Sequence, residues 1–174
     1  TFNRNDGVQH AKFFIIDGKE VFIGSQNFDW RALEHIHEVG LRIRHPEYAR
    51  LMTELFEMDW DYAVLNKMPG RKLTEPHNFK VAIAPGDTVK FTASGSPARN
   101  LPDGMTSDEK VILELIRCAK KEINIQLLYY SPLDKKTQYW SKLDNALREA
   151  AVRGVVVNLL VSDWNISADE LPYL

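Results

Sequence analysis

The sequence predicts an α/β protein with a mixed, partly parallel sheet flanked by helices. Three observations predict it. An apolar, β-branched and aromatic run from Val8 to Ile16 turns back at Asp17-Gly18, and the residues from Glu38 to Arg44 alternate in polarity before a helical period begins at Pro46. Near the far end, Glu122 to Tyr129 reads as a buried strand, Gln138 to Val152 as a helix and Val155 to Val161 as another strand. Strand, helix and strand in that order imply a parallel pair, because only a crossover of that length brings the second strand back in the same direction.

Taken in order, Asp17-Gly18 offers the tight turn of a β-hairpin whose second strand runs from Glu20 to Ile23. Val39, Leu41 and Ile43 alternate with Gly40, Arg42 and Arg44, the period of a half-buried strand. Pro46 suits the first turn of a helix reaching about Tyr62, with Leu51, Leu55, Met58 and Tyr62 as its apolar stripe. Between Leu65 and Asp103 the pattern breaks: Pro69-Gly70, Pro76, Pro85-Gly86 and Gly95-Ser96-Pro97 punctuate two short strand-like runs near Val81 and at Val89 to Thr92. Thr106 and Glu109 form a capping box ahead of a helix from Asp108 to Lys120, with Val111, Ile112, Leu115, Ile116 and Ala119 on one face. Gly154 is the C-terminal stop of the next helix. The chain therefore divides into residues 1–64, a connector over 65–105, and residues 106–174.

With 174 residues and 44% hydrophobic content, the chain has enough apolar material for one ordinary domain or two small lobes. A formal charge of −2 supplies no global basic field, so an anionic ligand must be gripped by local groups. No apolar run approaches the length of a membrane span, and no signal-peptide pattern is present. The sequence opens at Thr1 without an initiator Met and with a strand close behind, as expected of a segment cut from something longer; the compartment stays open, and an exported or periplasmic one is compatible. The single Cys118 cannot form an intrachain disulfide, and its neighbours Ile112, Leu115, Ile116 and Ala119 predict a buried structural thiol.

The chemistry-bearing residues gather near the start. His10, Lys12 and Asp17 stand at the spacing H-x-K-x-x-x-x-D, and Gly24-Ser25-Gln26-Asn27 follows on the far arm of the hairpin. In a strand, residues two apart share a face, so His10 and Lys12 are expected to project together while Ala11 packs. An imidazole nucleophile and an ammonium would then meet one phosphoryl group, with Ser25 and Asn27 as neutral donors to its non-bridging oxygens and Asp17 organising the turn. Alone, H-x-K is a weak signal; together with Asp17, Gly24, Ser25 and Asn27 it is a specific one. His35 and His37 with Glu34 and Glu38 suggest a metal cluster, but no third ligand follows at firm spacing, and neither a metal nor another cofactor is expected. Trp30, Tyr129, Tyr130, Trp140 and Trp164 could stack on bases or lipid tails, yet are expected in the core. Lys120-Lys121 and Lys135-Lys136 read as solvated positions.

His10-Ala11-Lys12 through Asp17, with Gly24-Ser25-Gln26-Asn27, resembles the signature motif of the phospholipase D superfamily. Asn27-Phe28-Asp29-Trp30-Arg31-Ala32-Leu33 and Glu38-Val39-Gly40 are similar to the segment after the first motif in the branch of lysosomal phospholipase D-like exonucleases and poxvirus nicking enzymes. Tyr129-Tyr130-Ser131-Pro132-Leu133, Gln138-Tyr139-Trp140, Leu143-Asp144-Asn145-Ala146-Leu147-Arg148 and Gly154-Val155-Val156-Val157 resemble the opening of that branch's second half. The resemblance implies a phospholipase D-like sheet flanked by helices, with the end of one repeat half followed by the start of the second. It also implies a metal-free phosphohistidine mechanism in two displacements, with His10 attacking phosphorus and Lys12 offsetting charge on the oxygens. Glu38, by the same resemblance, would hydrogen-bond His10 and fix its tautomer.

No second H-x-K-x-x-x-x-D occurs in residues 18–174. A complete site is expected to need a second motif from a missing downstream segment or from another chain, as in a homodimer; the connector and the second-half opening favour the missing segment. The rival expectation is a non-catalytic, truncated phosphate-binding fragment. The substrate stands open between nucleic acid and phospholipid.

Overall fold

The computed structural model describes residues 8–65, 78–134 and 138–162, which fall into two compact units, residues 1–107 and 108–174. The expectations at Pro69-Gly70, Pro76, Lys135-Lys136 and Trp164 lie outside the described residues. The architecture is the expected α/β one, a mixture of parallel and antiparallel sheets with helices.

In the first unit, β1 (Phe13–Ile16), β2 (Glu20–Gly24) and β3 (Gly40–Arg44) form an antiparallel sheet in sequence order. Asp17 and Gly18 both adopt positive φ, 52° and 62°, and the Lys19 N–H closes on the Ile16 carbonyl at 3.0 Å. Two left-handed residues in succession match the strands' own twist, which is why a short polar residue followed by Gly serves here. Pairing sets Phe13 against Ile23, Phe14 against Phe22 and Ile16 against Glu20; β3 continues it with Gly40 against Gly24, Arg42 against Phe22 and Arg44 against Glu20.

Odd-numbered residues of the sheet therefore share one face. Phe13, Ile15, Val21, Ile23 and Ile43 pack there against α2 (Pro46–Leu65), which buries Tyr48, Ala49, Leu51 and Met52 in the same cluster. Pro46 opens α2 as expected, and His45 closes its free end, its ring accepting from the Tyr48 N–H at 3.3 Å and its carbonyl from the Ala49 N–H at 2.9 Å. Leu51 and Val21 are fully buried, and each such side chain contributes roughly 1.5–3 kcal/mol. The strand-like runs of the connector are β4 (Asn78–Ala84) and β5 (Asp87–Thr92), an antiparallel hairpin turning at Gly86, whose Phe79 and Phe91 stack at 5.0 Å and join this core. A short parallel pair, β6 (Ser94–Gly95) and β7 (Thr106–Ser107), ends the unit.

In the second unit, β8 (Glu122–Leu127) and β11 (Val156–Val161) pair in parallel, as the strand, helix, strand order predicts. α3 (Asp108–Cys118) and α4 (Ser141–Val152) cover one face, burying Leu113, Ile116, Ala146, Leu147 and Ala150 against Ile123, Ile125, Val157 and Leu159. Gly154 takes φ 87° directly after α4, the left-handed conformation expected at a helix stop. Gln138 and Tyr139, expected in the helix, instead form β10 (Gln138–Tyr139) with β9 (Leu133–Asp134). Three further expectations are corrected. The buried face of α3 runs through Leu113 and Ile116, leaving Ile112 and Leu115 46% and 67% exposed. That rotation carries Cys118 into solvent as a free, exposed thiol rather than a buried one. Of the four described aromatics expected in the core, Trp30, Tyr129, Tyr130 and Trp140, only Tyr130 is buried; the other three are exposed.

Candidate active site

The first strand is shorter than its apolar run. β1 begins at Phe13, so His10 and Lys12 lie just ahead of it, His10 exposed and Lys12 half-buried. The physical reason is local competition. Gln9 turns its side-chain carbonyl onto the Ala11 N–H at 3.0 Å, and its amide donates to Asp59 of α2 at 2.9 Å, which fastens the approach to the helix instead of to β2. Burial pushes the Asp59 carboxyl above its usual range and the Gln9 amide opposes that rise. Beyond Gly24 the partner strand also leaves, since the Ser25 N–H bonds the Val39 carbonyl at 3.1 Å.

One ladder bond survives past the end of β1. The Gly24 N–H donates to the Lys12 carbonyl at 3.2 Å, which continues the register and sets Lys12 opposite Gly24. Lys12, Gly24 and Gly40 thus form a row across the three strands on the even-numbered face, away from the core. The Lys12 ammonium donates to the His10 carbonyl at 2.6 Å, tying the two motif residues together through backbone. Asp17 occupies the left-handed turn at the other end of β1.

The second donor set is organised around Ser25. Its hydroxyl donates to the Glu38 carboxylate at 2.5 Å and accepts from the Val39 N–H at 3.2 Å. Glu38 is therefore engaged by Ser25, and among the described residues the His10 ring has no hydrogen-bond partner. Asn27 is exposed at the mouth of α1 (Trp30–Glu34), a helix capped by Asp29, whose side chain accepts from the Ala32 N–H at 2.9 Å. The structure thus brings Lys12 beside the Gly24–Ser25 arm and joins Ser25 to Glu38. Among the described residues, no three His, Cys, Asp or Glu side chains converge as a metal site would require. Of these same residues, His35 meets the edge of Trp30 instead, with ring centres 5.2 Å apart.

Gln26 is the residue of this segment that sequence reasoning passed over. Its side chain is 6% exposed between two exposed neighbours, and its Oε1 is sealed from solvent with no donor. The signal was available, since two glycines in register leave a space that some longer side chain must fill. In the second unit, Asp144 was likewise missed as a buried hub. Its carboxylate accepts from Tyr130 at 3.1 Å, from Arg148 at 2.6 Å and from the Tyr139 hydroxyl. Burial alone would raise the Asp144 carboxyl, but the bonds from Arg148, Tyr139 and Tyr130 together hold it below the usual carboxylate range.

Fold and motif together define an α/β protein of the phospholipase D type. The chain belongs to the PLD3/4, PLD-like domain family, which matches residues 2–173. It is similar to the mouse protein named 5'-3' exonuclease PLD4, 37% identical over 91% of this chain and 34% of that protein. It is also similar to the Caenorhabditis elegans protein named probable phospholipase D F09G2.8, 31% identical over 97% of this chain and 33% of the relative. The human protein named 5'-3' exonuclease PLD4 is 34% identical over 97% of this chain and 36% of its own length. The chain spans about a third of the length of these relatives.

Proposed function

We propose that this chain supplies one half of a phosphodiesterase site, completed by a second H-x-K motif from a further segment of the protein or from another chain, a homodimer included. The observation that supports it is the register of Lys12 against Gly24, which sets the H-x-K arm beside Ser25 at an exposed end of the sheet. In the first displacement a His10 ring nitrogen attacks phosphorus. The N–P bond forms, the bond to the leaving oxygen breaks, and that oxygen takes a proton from the second motif's histidine. In the second, water attacks phosphorus and gives its proton to that histidine; the N–P bond breaks and a phosphomonoester leaves. Lys12 carries three N–H donors, and with one on the His10 carbonyl it keeps a donor for a phosphate oxygen. Asn27 adds an amide donor. Ser25 exchanges Glu38 for a phosphate oxygen, which releases Glu38 to accept from the His10 ring N–H, while Asp17 holds the hairpin turn.

Nucleic acid is the favoured substrate, supported by the relatives named 5'-3' exonuclease; a phospholipid is the second reading, supported by the relative named probable phospholipase D. The test is to incubate the protein, together with its second motif, with a labelled oligonucleotide and separately with phosphatidylcholine. Cleavage of the oligonucleotide, an acid-labile phosphoryl group trapped on His10, and loss of both in His10→Ala are expected. Undiminished turnover in His10→Ala removes the nucleophile assignment, and activity on neither substrate removes the enzyme reading.

A further inference from the structure

We infer that Gln26 is a positioning residue for Lys12: its sealed carbonyl oxygen is the acceptor that holds the Lys12 ammonium over the glycine row when phosphate occupies the site. The inference rests on the phosphate-binding reading of Lys12 given above and adds a residue to it.

Two glycines open the space that Gln26 fills. Gly24 and Gly40 face each other across β2 and β3. A Cβ built on Gly24 would stand 2.3 Å from Gln26 Oε1 and 2.9 Å from the Val39 carbonyl oxygen. One on Gly40 would stand 2.5 Å from the Phe22 ring and 3.2 Å from Gln26 Nε2. The Gln26 carboxamide therefore fills the space that two missing side chains leave on the even-numbered face. Lys12 belongs to the same row and the same face, directly opposite Gly24. Side chains opposed in this way have Cβ atoms about 5 Å apart. Gln26 Oε1 occupies the place of the Gly24 Cβ, so it lies well within reach of a lysine side chain rooted across the strand.

The oxygen is also the one orphan among the described buried side-chain atoms. A carbonyl sealed without a donor costs the fold its lost hydration, and a methionine of similar volume would fill the same space without that cost. An acceptor kept at such a cost, beside a cation with donors to spare, is an acceptor for that cation. Held between the His10 carbonyl and Gln26, the ammonium would keep its third N–H aimed at phosphate. Gly24 and Gly40 are what allow the amide to lie close enough.

The test is a double-mutant cycle on this chain with inorganic phosphate as the probe, following amide NMR shifts of Ser25 and Asn27 and, in parallel, the melting temperature. Gln26→Met is expected to keep or raise the melting temperature and to weaken phosphate binding about fivefold, the worth of one hydrogen bond. In a Lys12→Ala background the same change should have no further effect on phosphate. Wild-type affinity in Gln26→Met, or an equal loss with and without Lys12, overturns the inference while leaving the phosphate site standing. If Lys12→Ala itself leaves phosphate binding unchanged, or if the chain binds no phosphate, the reading of the site fails and this inference with it. Should Gln26→Met fail to fold, Gln26→Leu replaces it under the same criteria.

Discussion

The Ser25 hydroxyl and the Glu38 carboxylate meet at 2.5 Å, and the Val39 N–H donates to the same Ser25 oxygen at 3.2 Å. With the Ser25 N–H on the Val39 carbonyl at 3.1 Å, the two residues stitch the end of β2 to the entry of β3 just where the regular ladder stops.

Removing the serine oxygen should loosen that seam without breaking the sheet. Ser25→Ala takes the acceptor from Val39 and the donor from Glu38, a loss of about 1 kcal/mol, or roughly 2–4 °C in melting temperature for a chain of this size. Glu38→Gln keeps an acceptor for Ser25 and should melt closer to the parent. Thermal melts of the two variants side by side check this; equal losses would mean that the carboxylate charge, not the serine oxygen, carries the seam.

Asp144 should make the second unit sensitive to acid. Its folded carboxyl lies below the usual range, so its stabilisation is present above the unfolded pKa of about 4 and is lost as pH falls through and below that value. Urea midpoints measured from pH 7 to pH 3 should fall less steeply in Asp144→Asn than in the parent. Asp144→Ala, which strands the buried Tyr130 hydroxyl, should cost about 2–3 kcal/mol at pH 7.

Alkali should act on the same hub from the other side. Burial first, and the neighbouring Asp144 second, push the Tyr130 phenol far above its ordinary value. The fold then favours the neutral phenol, and stability is lost as pH rises above the unfolded pKa of about 10. Spectrophotometric titration should find the buried tyrosines Tyr130 and Tyr48 ionising only as the protein unfolds, and Tyr130→Phe should diminish that step by one residue. A smooth titration of every tyrosine before unfolding would contradict the placement of Tyr130.

Cys118 should behave as a surface thiol. Ellman's reagent should react with one equivalent per chain in the folded protein at the rate of a small free thiol, and denaturant should not accelerate it. A thiol that reacts only after unfolding would restore the buried reading.

The parts of the fold that were legible were those written in local spacing. Asp17-Gly18 names its own turn, Pro46 its helix start, and the order from Glu122 through Val161 its parallel pair. Legibility failed where tertiary packing chose between nearly equivalent options. Ile112 and Leu115 are as apolar as Leu113 and Ile116, and only the fit against β8, β11 and α4 decides which pair turns inward. His10 reads as a strand residue by composition, but the Gln9 side chain, anchored to Asp59 fifty positions away, holds the backbone ahead of Lys12 apart from the ladder. The motif of the site was readable as a string; the partners of its side chains were not. Glu38 beside Ser25, and Gln26 buried over two glycines, appear only when β2 and β3 lie in register.

The left-handed corner at Asp17-Gly18 makes the interval between the lysine and the first glycine heritable as a unit. A single inserted amino acid there would slide one arm past the other, driving the ammonium toward the hydrophobic interior and presenting phenylalanine or alanine in its stead. Surface loops of such a protein can drift in length over generations; this one is held to its count.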